Sequence, residues 1–292
     1  MRLFVNITLG GVAEGLIFSS VALGLVLIFR ATNIINFAQG AMAMLTTFIA
    51  FSVLGKGVGY WPAFLVALAC GLLLGGVVQL TLVRPVQNKP PLNAVIVTFG
   101  LLIFLEGIAG AIWGNTNRGF PAAFSQKGLV VGKTAVAFSH FDIFIVVAVL
   151  ALSILVGVLF RFTTVGLRMR AAAFAPEAAR LLGVRVGRLL TLGWALAAVA
   201  GALAGLLVAP TSVFSPGYMD LILVYAFTAA VLGGLDSPLG ALVGGVITGL
   251  ALAYVGGYLG GSLQPIGALV LLIVVLMIRP EGIFSQPTAR RV

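Results

Sequence analysis

The chain has 292 residues, of which 61% are apolar and only 8% are Asp, Glu, Lys or Arg. A soluble domain carries about 25% charged residues to keep its surface hydrated, so this composition belongs to an integral membrane protein. The net charge of +10 comes from 17 Lys and Arg against 7 Asp and Glu, and the cations sit in short breaks between apolar runs, which argues against nucleic-acid binding.

His140 is the only histidine and Cys70 the only cysteine. They leave no disulfide, no histidine metal site and almost no material for a Ser-His-Asp hydrolase. No catalytic residue, metal ligand or cofactor is expected in this chain.

Crossing about 30 Å of hydrocarbon takes roughly 20 apolar residues in a helix. Runs of this kind lie at about 9–29, 37–55, 61–83, 92–113, 141–160, 189–213, 221–234, 238–259 and 265–278. The runs at 221–234 and 265–278 are short, and one of the last three is a candidate half-helix or re-entrant segment. Residues 1–292 are expected to form one all-α, polytopic membrane domain with eight or nine membrane segments. Run length and the lack of strict alternation exclude a transmembrane β-barrel. Arg2 makes a weak positive n-region and no A-x-A-like site follows, so the first run is expected to stay as a helix.

Lys and Arg set the orientation. With the stretch after 141–160 placed in the cytoplasm, Arg2, Lys56, Arg118, Lys127 and Lys133 fall outside, and the other twelve of the 17 fall inside. The N-terminus is then outside and the C-terminus cytoplasmic. The longest polar breaks, 114–140 and 161–188, are too short to bury a core.

Along the chain, Asn33, Asn36 and Gln39 space three amides at i, i+3 and i+6. Such a stripe serves either as interhelical hydrogen bonding or as the lining of a pathway for a zwitterion. Glu14 and Glu106 lie inside apolar runs, where ionisable groups are costly and become functional candidates; hydrogen bonding at a helix interface is the plainer explanation. Gly201/Gly205, Gly240/Gly244 and Gly245/Gly249, together with Gly11/Gly15, Gly71/Gly75 and Gly257/Gly261, are i, i+4 pairs that allow close helix packing. His140 and Asp142 read as a helix start. Asp236-Ser237-Pro238 reads as an N-cap with Pro at the first helical position, and Asp220 reads the same way. Gly128 to Thr134 imitates a P-loop but is one residue short between its glycines, so no nucleotide site is expected.

Within 161–188, Pro176-Glu177-Ala178-Ala179-Arg180 followed by Gly183 has the Pro-first, Gly-last asymmetry of a short helix. Glu177 near its positive end and Arg180 near its negative end both suit the helix dipole. A helix of about seven residues cannot stand alone in water. It is either an ordinary cytoplasmic connector or a docking helix for a soluble partner.

Glu177, Ala178, Ala179 and Gly183 resemble the EAA loop of ABC importer permeases, without the Ile-Leu-Pro end of the fullest motif. The wider chain resembles the LivH-type permeases of the branched-chain amino acid ABC importer family. The matching stretches are Leu23 to Leu45, Arg84-Pro85 with Val97 to Leu101, Thr164 to Gly205, Ala229 to Gly249 and Arg279 to Phe284. Asn36-Phe37-Ala38-Gln39-Gly40 favours the LivH over the LivM type, with Gln39 where a His is expected.

The resemblance implies an ABC importer permease fold in a bacterial inner membrane, working by alternating access. It implies a LivM-type second permease, two cytoplasmic ABC ATPase subunits that hold the ATP, and a periplasmic substrate-binding protein. The helix at Glu177 would couple the ATPases to the membrane segments, and Asn33, Asn36, Gln39 and Glu106 are the candidate substrate pathway. The rival is an ion-coupled secondary transporter of a small polar solute, for which Glu106 would be the coupling residue.

Overall fold

The computed structural model describes residues 2–87, 89–131 and 134–285. α1 (Arg2–Thr32) is followed by α2 (Gln39–Gly55), by α3 (Tyr60–Val78) running into a π-helical turn (Gln79–Val83), and by α4 (Pro91–Trp113). An antiparallel hairpin of β1 (Gly128–Val131) and β2 (Thr134–Ser139) precedes α5 (His140–Phe162). Two short helices, α6 (Thr164–Phe174) and α7 (Pro176–Leu181), lead to α8 (Val186–Val208). α9 (Asp220–Gly233), α10 (Pro238–Tyr258), a 3-10 turn (Gly261–Leu263) and α11 (Gln264–Ile278) follow.

Each apolar run of the sequence coincides with one helix. Among the described residues, seven helical stretches are long and apolar enough to cross a membrane, and α2 and α9 are shorter apolar helices. The helix starts have local causes. Ser139 and Asp142 form a capping box on α5, with Asp142 N donating to Ser139 Oγ at 3.2 Å and Ser139 N to the Asp142 carboxylate at 2.7 Å. On α10 the cap is Ser237, whose Oγ accepts from Gly240 N at 2.9 Å. Asp220 is the first residue of α9 and not its cap, which is Met219.

α1 is the central column. It packs on α8 and α10, and also on α9 and α5, while α4, α5 and α11 form much of the perimeter. α10 uses two faces. Gly245 and Gly249 lie on Gly15 and Ser19 of α1, and Gly240 and Gly244 lie on Gly233 and Ala229 of α9. A methyl group on Gly245 would sit 2.7 Å from the Gly15 carbonyl oxygen. With lipid as apolar as the side chains, such close approach is what holds membrane helices together.

The two short helices share one cause. Gln39, the first residue of α2, lies between Gly24 of α1 and Gly201 near the middle of α8. The chain therefore turns back into the bundle after α1, and α2 begins at mid-depth. Met219 and Leu223 flank Gly40, so α9 begins at the same level and its 14 residues cover about 21 Å. The shortened segments are thus α2 and α9. The run at 265–278 joins the preceding 3-10 turn in an 18-residue stretch long enough to cross.

The connections sort to two ends. At one, Ala137 N donates to Asn6 Oδ1 (3.1 Å), Arg118 N to Phe214 O (3.0 Å) and Gln126 Nε2 to Pro210 O (3.0 Å). Phe48 and Phe214 pack close by with tilted rings, 4.2 Å between ring centres. At the other end lie the close of α1, the α3–α4 turn, α6, α7, the start of α8, and residues 279–285. There Ile283 N and Phe284 N donate to Leu232 O and Gly233 O at 2.9 and 3.1 Å.

The hairpin and α6 are additions to the sequence reading, which left 114–140 as a polar connection and expected within 161–188 only the short helix at Glu177. The P-loop imitation is this hairpin, with residues 132 and 133 outside the described residues.

Candidate functional site

α7 is positioned from both sides. α6 starts on Thr163, whose Oγ1 accepts from Gly166 N at 3.0 Å, and α7 follows directly with Pro176 at its first position. The end of α7 is closed by Gly183, at φ 79°. Gly183 N donates to Arg180 O at 3.0 Å, and Val184 N to Ala179 O at 2.9 Å, the paired bonds of a Schellman cap.

Among the described side chains of this helix, Ala179 is the buried one. Ala179 is buried against Ala172 of α6 and Val186 of α8, with Val184 beside them. Ala178, Glu177 and Arg180 are exposed. Leu181 and Leu182 are 90% and 84% exposed. These two adjacent leucines leave most of their surface open, at an end that also carries Arg168, Arg170, Arg180, Arg185 and Arg188. The motif reading named Pro176, Glu177, Ala178, Ala179, Arg180 and Gly183 and passed over this pair. The adjacent apolar letters at a helix end were the available signal.

Glu177 and Arg180 line a cavity of about 240 Å³ behind α7, together with Asn33 and Gln87. Asn33 is the one described non-glycine residue with positive φ (52°), at the turn that sends the chain back into the bundle.

Asn36 and Gln39 lie elsewhere, fully buried. Asn36 Nδ2 donates to Gln39 Oε1 at 3.0 Å, Ala38 N donates to Asn36 Oδ1 at 3.1 Å, and Gln39 Nε2 donates to the Ala197 carbonyl of α8 at 2.7 Å. All four polar atoms are occupied inside the bundle. The three amides of the sequence stripe therefore separate into a buried pair that anchors α2 and one residue, Asn33, at a cavity.

Glu106 is half-buried on α4 beside Asp220 at the start of α9. Its Oε1 is enclosed without a hydrogen-bond partner. Gly201 is the glycine that admits Gln39, and Gly205 meets Thr47 and Ala43 of α2. Among the described residues there is no group of His, Cys, Asp and Glu able to hold a metal.

A family model described as the permease component of the branched-chain amino acid transport system matches residues 7–279. The chain belongs to that family. This permease is 30% identical to the high-affinity branched-chain amino acid transport system permease protein LivH of Escherichia coli, over 99% of this chain and 98% of that one. It is 29% identical to the corresponding protein BraD of Pseudomonas aeruginosa, over 97% and 96%. It is also 28% identical to the fructose import permease protein FruF of Bifidobacterium longum, over 83% and 70%. Among solved structures, a chain of PsaBC from Streptococcus pneumoniae in complex with Fab superposes with a TM-score of 0.51 at 14% identity, covering 96% of this chain and 93% of that one. The permease therefore shares its fold. It is a multi-pass membrane transport component of the ABC permease kind, and the family assignment does not favour the ion-coupled rival.

Proposed function

We propose that the permease carries branched-chain or related small amino acids into the cell as the membrane part of an ABC importer in a bacterial inner membrane. In this reading it pairs with a LivM-type permease and receives substrate from a periplasmic binding protein. It is driven by two cytoplasmic ATPase subunits, which hold the ATP. Its N-terminus is outside and its C-terminus cytoplasmic, so the α6–α7 end faces the ATPases.

The exposed Leu181-Leu182 pair carries the proposal. α7 is held on the bundle by Ala179 and offers these two leucines outward, an arrangement suited to an apolar cleft on a moving ATPase. The pathway is assigned to the α4–α9 face. Asp220 is exposed there beside Glu106, at a depth set by the start of α2. Carboxyl groups at that depth do not face lipid, so this face turns to the second permease and the channel between them. Asn33 borders the cytoplasmic exit, and Asn36 and Gln39 position the start of α2.

The test is co-purification of the assembled importer in mild detergent. Leu181→Asp with Leu182→Asp is expected to leave the permease folded and to strip the ATPases from it; retention of both ATPases would refute the docking assignment. Glu106→Gln is expected to keep uptake, since the drive is ATP on the partner subunits; loss of uptake with assembly intact would move the drive to proton coupling.

A further inference from the structure

α3 and the π-helical turn that continues it bury a residue at every fourth position: Ala63, Ala67, Gly71, Gly75, Gln79 and Val83. Four residues of α-helix rotate by about 400°, so such a stripe drifts by about 40° at each step along a straight helix. The wider turn at Gln79–Val83 reduces that drift. Arg84 N closes it by donating to Gln79 O, five residues back, at 2.8 Å. Pro85 follows and has no N–H with which to continue the ladder.

The stripe lies on α8. Gly71 meets Ala198 and Ala202, and Gly75 meets Trp194, Ala195 and Ala198. Gln79 continues this contact with a fully buried polar side chain. Its Oε1 accepts from Thr191 Oγ1 at 2.6 Å, while its Nε2 is enclosed without an acceptor. Thr191 Oγ1 also lies 3.0 Å from the Gly187 carbonyl oxygen, and its single proton serves one acceptor at a time. That carbonyl is therefore one hydroxyl away from an amide whose donor has nothing to bond. A buried donor without a partner is costly, and the cost is removed in any arrangement where Nε2 reaches an acceptor.

We propose that the π-helical turn is a hinge and the Gln79 amide its latch. In the position seen here Thr191 holds Gln79. In the other, the start of α8 has shifted, Gln79 Nε2 donates to the Gly187 carbonyl, and Arg84 N moves from Gln79 O to Leu80 O as the turn becomes α-helical. Gly187 directly follows Val186, the α8 residue on which Ala179 of α7 is packed, so motion received at α7 passes into α3 and the α3–α4 turn. Such a hinge is a short stretch that absorbs the backbone change between packed elements. The inference rests on α7 being the ATPase contact.

The experiment uses the complete importer in proteoliposomes with its binding protein and L-leucine, and follows uptake, ATPase content and the thermal midpoint of the permease. Leu80 is half exposed, and its deletion takes one residue out of the wide turn. This deletion is expected to keep both ATPases and to lower uptake about tenfold or more, within the usual range of coupling between sites. Gln79→Leu removes the latch and the unpartnered donor together. It is expected to lower uptake about fivefold or more with a midpoint at or above that of wild type. Thr191→Ser keeps the hydroxyl and is expected to transport like wild type, and Thr191→Val to follow Gln79→Leu. Amide exchange over residues 79–84 is expected to change when the wild-type importer is trapped with ATP and vanadate, and to stay constant in the deletion variant.

Wild-type uptake in the deletion variant overturns the hinge, as does amide exchange over 79–84 that ignores trapping. A lowered midpoint in Gln79→Leu, or equal loss in Thr191→Ser and Thr191→Val, reduces Gln79 to packing and overturns the latch. ATPases still bound in those variants leave the docking reading standing. ATPases retained by Leu181→Asp with Leu182→Asp overturn the docking reading, and with it the hinge as a route from α7.

Discussion

Around α1 the bundle closes by backbone approach, with Gly245 and Gly249 of α10 laid on Gly15 of α1 and a buried amide pair fixing the start of α2. At the α7 end the contact is a small cluster of Ala172, Ala179 and Val186 with Val184, Leu189 and Leu190 packed against it, and two leucines face outward. The first region has little slack, since a methyl group on Gly245 or Gly249 would run into the main chain of α1. The second is a shallow seat whose own packing contributes little, and it is completed by whatever covers Leu181 and Leu182. One permease thus combines a closely packed frame with a short helix held by a small contact.

The comparison is broken most severely in the frame. Gly249→Leu puts a branched side chain where Gly11 and Gly15 of α1 lie. Overpacking usually costs about 1–3 kcal/mol, and with main chain as the obstacle the expected loss lies at or above the top of that range. Thermal unfolding of the detergent-extracted permease measures it, and a midpoint equal to wild type would show that α1 and α10 slide apart freely. Gln39→Leu is the next step down. It removes the side-chain bond to the Ala197 carbonyl and leaves Asn36 Nδ2 only the Met42 sulfur, at about 1–3 kcal/mol, and should lower the same midpoint while leaving ATPase binding intact. If ATPase binding fell and the midpoint held, Gln39 would belong to the moving part.

How much of this was legible before the structure depends on which force did the work. The nine apolar runs and the glycine pairs were readable because burial and close packing leave a mark in composition. α7 was readable from Pro176, Glu177 and Gly183. The depth at which α2 and α9 begin was not, since it is set by Gln39 reaching Gly24 and Gly201, contacts remote in sequence. Asn33, Asn36 and Gln39 looked equivalent by spacing, and a turn at Asn33 divides them. The outward face of α7 was hidden because six residues carry too little periodicity to fix a face. α6 lacks a long apolar run, so hydropathy passed over it.

The smallest expected effect is the sharpest test of the contrast. Gly183 holds φ 79° to close α7, and Gly183→Ala should cost about 1 kcal/mol at that turn. Gly183→Asn should cost less, because Asn tolerates the left-handed conformation better. If α7 is a separate local unit, that loss opens residues 176–184 alone. Amide exchange in this stretch would then rise in the Ala variant, while the unfolding midpoint of the bundle stays at the wild-type value. A midpoint shifted as far as in Gln39→Leu would mean that α7 and the frame unfold together. Motion of α7 against the bundle would then have to be replaced by motion of the whole subunit.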